Sequence, residues 1–131
     1  MSLRVGAPPL VPWAGDRTCP VWFAAATLAG RPDVVAAADA MAAHASREGV
    51  AAALHGMAER RDTRPDLASL RMPTLVICGR EDKITPPDSM RGLAAAIPGA
   101  VYAEVPGAHL APLEHPAEVA AQVAPFLSRL R

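Results

Sequence analysis

The sequence predicts an α/β fold with parallel strands, and three neighbouring stretches in its second half lead to this prediction. Residues 74–78, Thr-Leu-Val-Ile-Cys, are apolar and rich in β-branched side chains, as is typical of strands covered on both faces. Residues 101–105 alternate apolar and polar side chains and predict a second strand. Between them, apolar residues recur at helical spacing: Met90, Leu93, Ala94 and Ile97. Two strands joined by one helix in so short a stretch indicate a parallel pair with a right-handed connection.

The sequence also marks where the helices of this half begin and end. Thr85-Pro-Pro-Asp88 matches a capping pattern, in which Thr85 caps the helix and proline occupies its first turn. Pro98-Gly99 ends that helix. Pro116 begins a last helix, whose apolar residues share one side: Val119, Val123, Phe126, Leu127 and Leu130.

The first half predicts two alanine-rich helices. Pro32 suits the first turn of one helix, in which apolar residues recur at helical spacing: Val34, Ala38, Met41 and Ala42. Ser46 is suited to cap a second helix, one face of which carries Val50, Leu54 and Met57. Residues 62–66, Asp-Thr-Arg-Pro-Asp, then break the helical pattern as a linker does.

The first 30 residues predict little regular structure. Prolines at positions 8, 9, 12 and 20 disfavour a long element before residue 21. Val21-Trp-Phe23 fits both a short strand and the start of a helix. We therefore expect two regions. Residues 1–66 form an irregular N-terminus with helices, and residues 67–131 form a strand–helix–strand–helix unit.

Composition excludes several classes of function. The 131 residues carry 13 basic and 13 acidic side chains, and a formal net charge of zero disfavours binding to nucleic acids or acidic membranes. No apolar run approaches the ~20 residues that span a bilayer. The two cysteines, Cys19 and Cys78, make no disulfide framework, which favours a cytoplasmic location. No cluster of residues has the spacing of a zinc site, and we expect neither a metal nor a cofactor.

Two residues that follow the predicted strands are candidates for catalysis. Asp82 comes three residues after Gly79, and His109 comes four residues after Val105. The carboxyl ends of parallel strands share one rim, where open α/β sheets place their sites. A histidine there can take a proton from a nucleophile, while a carboxylate on its other nitrogen fixes the tautomer. Each residue alone also fits a turn, but their placement at matching strand ends favours an acid–base pair.

The remaining candidates are weaker. His44 and His55 lie on the alanine-rich helices as surface or interface residues, and His115 directly precedes the last helix. Cys19 as a nucleophile lacks the neighbouring glycines that a strand-to-helix elbow requires. No G-x-S-x-G motif occurs in the 131 residues, nor the same motif with Cys or Asp at its centre. Two thirds of a hydrolytic triad are therefore present, without the nucleophile.

Residues from about 48 to 131 resemble the carboxyl-terminal part of an α/β-hydrolase fold protein, in the branch of 3-oxoadipate enol-lactonases, small esterases and cofactor-free haloperoxidases. The stretches that carry the resemblance are Gly49–Arg60, Met72–Gly79 with Asp82, Ile97–Ala100 and His109–Pro116. The resemblance implies a truncated α/β-hydrolase fold. Cap-type helices would be followed by the last two parallel strands and their flanking helices. It also implies that Asp82 is the triad acid and His109 the general base, with a small acyl or lactone substrate.

The chain departs from this family at two places. The strands, the oxyanion-hole loop and the nucleophile elbow that the family places before its cap are not found, so we expect the isolated chain to be inactive. The family usually reads P-G-x-x-H-L, whereas Pro106-Gly-Ala-His109-Leu is one residue shorter. One extended residue rises ~3.3 Å and proton transfer needs heavy atoms within about 3 Å, so the sequence leaves open whether the deletion separates the pair.

Three interpretations of function follow: a hydrolase remnant, one half of a split hydrolase completed by another chain, or a non-catalytic binding or structural module. The predicted strand at residues 74–78 also leaves an edge without an obvious partner. Exposed apolar edges recruit a further strand. We expect residues 1–30, a second copy of the chain, or an N-terminal partner chain to cover this edge.

Overall fold

The computed structural model describes residues 20–130, and the structural statements below concern those residues. A 3₁₀ turn, Pro20–Trp22, precedes three helices: α1 (Ala25–Gly30), α2 (Pro32–Ala42) and α3 (Arg47–Glu59). A 3₁₀ helix, Arg64–Ser69, leads to the strand–helix–strand–helix unit: β1 (Leu75–Gly79), α4 (Pro87–Ala95), β2 (Val101–Val105), α5 (Ala111–Glu114) and α6 (Pro116–Ser128).

Strands β1 and β2 pair in parallel, as predicted. Their register runs from Leu75 opposite Val101 to Gly79 opposite Val105. Helix α4 makes the crossover, and α4 and α6 both pack on the strand pair. Both strands therefore end at the same rim, which is where the two candidate catalytic residues follow.

The helices of the first half reach this rim through a small apolar core. Phe23, Val34 and Ala38 form a buried cluster, and three partly buried side chains pack against it: Trp22, Leu110 and Leu113. Residues 21–23, which fitted both a strand and a helix in the sequence, belong to the 3₁₀ turn and the bend before α1. The start of the helical region thus lies against the segment that follows β2.

The caps of the helices were predicted with mixed success. Ser46 caps α3 as predicted, and its Oγ accepts the Gly49 N–H at 2.9 Å. The Thr85 cap is wrong. Helix α4 begins after Pro86 without a side-chain cap, and the Thr85 hydroxyl donates to Asp82 Oδ2 at 2.7 Å instead. The Asp82 carboxylate is a charged acceptor and forms a stronger bond than a helix amide would offer.

Two predicted apolar faces are only partly covered. Leu54 and Met57 on α3 stay 43% and 57% exposed. On the last helix, Val119, Val123 and Phe126 are half-buried, whereas Leu127 and Leu130 remain exposed.

Strand β1 has one neighbouring strand, β2, within residues 20–130. Residues 20–30 are mostly helical and add no strand to its other edge. Residues 1–19, which include Cys19, lie outside the described part of the chain. None of the described helices is long and apolar enough to cross a bilayer.

Candidate active site

Asp82 and His109 meet at the shared rim of the two strands. His109 Nδ1 lies 3.0 Å from Asp82 Oδ2, which is hydrogen-bond distance. The sequence therefore identified a pair of side chains that the fold brings together. The shorter loop before His109, whose effect the sequence left open, does not separate the pair.

The backbone explains how the shorter loop keeps the contact. The parallel ladder continues past both strands, because the Arg80 N–H donates to Val105 O at 3.0 Å and the Glu81 N–H to Gly107 O at 2.9 Å. At Gly79 the two loops approach so closely that an added Cβ would lie 2.2 Å from the Ala108 carbonyl oxygen. Gly107 adopts a φ of +99°, which side chains disfavour. Two glycines thus let the loops run side by side.

Asp82 is buried and held by its own turn. Its Oδ1 accepts the backbone N–H groups of Ile84 and Thr85 at 2.8 and 2.9 Å, and its Oδ2 accepts the Thr85 hydroxyl. Burial alone would raise the pKa of Asp82. The hydrogen bonds from Thr85, His109 and Ile84 outweigh it, and the pKa of Asp82 falls below its ordinary value. The carboxylate is therefore ionised and fixed in place for His109.

This lowered pKa predicts how stability depends on pH. A carboxylate whose pKa is depressed by folding stabilises the protein above its unfolded pKa of about 3.9 and loses that contribution as pH falls further. The free energy of unfolding of the native chain should therefore exceed that of Asp82→Asn at neutral pH. The difference should shrink below about pH 4. Denaturant titrations of both proteins over that range measure it. A difference that stays constant with pH would contradict the assignment.

The two ring nitrogens of His109 differ, because Nδ1 contacts Asp82 and Nε2 does not. Its side chain is 37% exposed, whereas that of Asp82 is 5% exposed. When Nδ1 carries the proton and donates it to Asp82, the neutral ring has an unprotonated Nε2. Within residues 20–130, Nε2 has no hydrogen-bond partner. This arrangement suits a general base, whose Nε2 receives the proton of a nucleophile.

Glu114 is a site residue whose role was not predicted from the sequence. It is buried, and its Oε1 accepts the Ala108 N–H at 2.6 Å while its Oε2 accepts the Ala24 N–H at 2.8 Å. Ala108 directly precedes His109. The available signal was an acidic residue that directly follows the apolar stretch Leu110–Leu113, shortly after the candidate histidine.

The other histidines lie apart from this pair. His44 and His55 are exposed on or beside the helices of the first half. His115 lies at the start of α6, where its Nδ1 is 3.6 Å from Glu118 Oε1.

Cys78 is buried, and burial together with nearby Asp82 raises the pKa of its thiol, which disfavours the nucleophilic thiolate. No group of three or more metal-ligating side chains occurs among residues 20–130.

Comparison with known protein families matches this architecture. The model of the family described as "alpha/beta hydrolase fold" matches residues 25–116, which include β1, β2, Asp82 and His109. No curated protein sequence matched the chain.

Three solved structures give the same result. A thermophilic esterase from Thermogutta terrifontis is 37% identical with a TM-score of 0.82, over 84% of this chain and 41% of its own. The enol-lactonase from Burkholderia xenovorans LB400 is 32% identical with a TM-score of 0.77, over 83% and 42%. A hydrolase from Pseudomonas aeruginosa PA01 is 33% identical with a TM-score of 0.75, over 82% and 40%. The chain thus spans about two fifths of the length of these structures.

Proposed function

The chain belongs to the α/β-hydrolase fold family, and from this premise we propose that it supplies the acid and the base of a hydrolase acting on carboxylic esters or lactones. Asp82 is the acid and His109 the general base. The nucleophile comes from outside these 131 residues. The observation that carries the proposal is the 3.0 Å contact between His109 Nδ1 and Asp82 Oδ2, which leaves Nε2 open to a nucleophile.

The geometry supports the following steps. A nucleophile brought to Nε2 gives its proton to His109 as its oxygen attacks the ester carbonyl. The Asp82 carboxylate holds Nδ1–H and stabilises the imidazolium that forms. His109 then gives the proton to the departing alkoxide oxygen, which leaves an acyl intermediate on the nucleophile. In the second half His109 activates water in the same way, and the carboxylic acid is released.

The similar structures support the substrate class. One is an esterase and another an enol-lactonase. A lactone is a cyclic ester, so both names describe the opening of a carboxylic ester bond. The balanced charge of this chain supports a small molecule as substrate over a nucleic acid or a membrane surface. The low cysteine content supports a cytoplasmic location.

The second edge of β1 supports the entry of the nucleophile from a further polypeptide segment. Within residues 20–130 that edge carries no strand. A parallel strand added there would end at the same rim as Asp82 and His109, where an elbow at its end can present a nucleophile. We favour an N-terminal partner segment for this position, with a second copy of the chain as the alternative.

A chimera tests this function. The family resemblance places the nucleophile elbow before the cap, and the match covers 41% of the Thermogutta terrifontis esterase, so we expect the elbow of that esterase in the remainder. Residues 20–131 should replace the matched portion of that esterase, and hydrolysis of a short-chain aryl ester should be measured. We expect clear activity that a second chimera with His109→Ala lacks. A folded chimera that stays at the background rate would contradict the proposal and favour a binding or structural module.

A further inference from the structure

The loop that carries His109 is tied down on both sides of the histidine. On one side, the Ala108 N–H donates to Glu114 Oε1 at 2.6 Å. On the other, the Leu110 N–H donates to the Trp22 carbonyl oxygen at 3.0 Å. The position of the imidazole therefore depends on two contacts that flank it, and neither involves Asp82.

Both contacts connect the His109 loop to one segment that is distant in sequence, residues 22–24. Glu114 also accepts the N–H of Ala24 through Oε2, at 2.8 Å and 90 residues away in sequence. Residues 22–24 thus bond the His109 loop directly through Trp22 and indirectly through Glu114. Apolar contacts join the same parts, since Trp22, Leu110 and Leu113 pack against the core of Phe23, Val34 and Ala38.

The buried Glu114 side chain links the His109 loop to residues 22–24. It is 3% exposed, and each of its two oxygens accepts one backbone N–H from a different part of the chain. A buried N–H without an acceptor is costly, so a side chain that satisfies two of them holds both in place. An amide at this position would keep one acceptor oxygen and turn an N–H₂ group toward the other N–H.

We propose that Glu114 is a positioning residue that sets the imidazole of His109 and makes its setting depend on the docking of residues 22–24. This inference rests on the proposed role of His109 as the base. When residues 22–24 are docked, the carboxylate fixes Ala108 and the Nδ1–H of His109 points at Asp82. When they detach, Glu114 loses one partner, Leu110 loses its acceptor, and the imidazole is released.

The test is the tautomer of His109 in the 131-residue chain, read by NMR after ¹⁵N-histidine labelling. In the native chain, His109 should be held as the Nδ1–H tautomer by Asp82. Glu114→Gln should shift it toward the mixed tautomers of exposed His55. Ile97→Ala is the control, because buried Ile97 precedes β2 whereas His109 follows it. This variant should lower the unfolding midpoint and leave the His109 tautomer unchanged.

A second variant covers the case in which Glu114→Gln does not fold. Ala24 has a φ of −64°, which proline adopts, so Ala24→Pro removes the donor to Oε2 and places the proline Cδ against that oxygen, while Glu114 itself is not replaced. It should shift the His109 tautomer in the same direction, because Glu114 then loses its bond to residues 22–24. A native His109 tautomer in Ala24→Pro, or in folded Glu114→Gln, would overturn the inference. The readout needs no hydrolysis and therefore stands apart from the outcome of the chimera.

Discussion

Replacing His109 with alanine in the esterase chimera is expected to lower kcat by about 10⁶-fold, because the nucleophile then has no base to take its proton. Asp82→Asn is expected to cost about 10⁴-fold, since the amide no longer fixes the Nδ1–H tautomer or stabilises the imidazolium. The measurement is the rate of hydrolysis of a short-chain aryl ester. The order of the two effects follows from their roles, because His109 moves the proton and Asp82 holds His109.

Matched controls exist on the same chain. Asp88 is a carboxylate on α4 whose side chain is 95% exposed, and His55 is an exposed histidine on α3. Asp88→Asn and His55→Ala should leave kcat within about threefold of the parent chimera, as surface changes usually do. An Asp82→Asn chimera as active as Asp88→Asn would show that the buried pair takes no part in the reaction.

The second large effect is expected at Gly79, where the two loops meet. A Cβ at this position would lie 2.2 Å from the carbonyl oxygen of Ala108 and 2.6 Å from that of Gly107. Both contacts are with backbone, which has no rotamer to change, so the loops must move apart. We expect Gly79→Ala to cost about 3 kcal/mol of stability. In the chimera it should also lower kcat by about 100-fold through displacement of His109.

Gly92→Ala provides the comparison for this variant. Gly92 lies within α4, and an added Cβ would meet no atom within 4 Å. Alanine is the better helix former, so this variant should gain about 0.5–1 kcal/mol. Denaturant unfolding of the three proteins measures both effects. Equal midpoints for Gly79→Ala and the native chain would show that the loops do not approach as closely as described.

The strand–helix–strand unit was predictable because its signals are local. The apolar run of residues 74–78, the helical spacing from Met90 to Ile97 and the alternation in residues 101–105 each depend on near neighbours in sequence. Parallel pairing follows from the short crossover, and the meeting of Asp82 with His109 follows from the pairing.

The missed features depend on contacts between distant parts of the chain. Thr85 fitted a cap pattern, but the carboxylate of Asp82 competes for its hydroxyl. Glu114 has a partner 90 residues away, which no sequence spacing reveals. The sequence left open whether the shorter loop displaces His109, because residue counts do not show the close approach that Gly79 allows. These contacts form only when the loops at the shared rim of the strands pack together, so the local spacing of apolar residues does not predict them.

The central claim is that these 131 residues supply an acid and a base and take their nucleophile from elsewhere. Hydrolysis of a short-chain aryl ester by the purified chain, beside its His109→Ala variant, tests this claim most directly. We expect both proteins to stay at the background rate, whereas the chimera hydrolyses the same ester. Activity of the purified chain that disappears in His109→Ala would place a nucleophile within the 131 residues and contradict the claim.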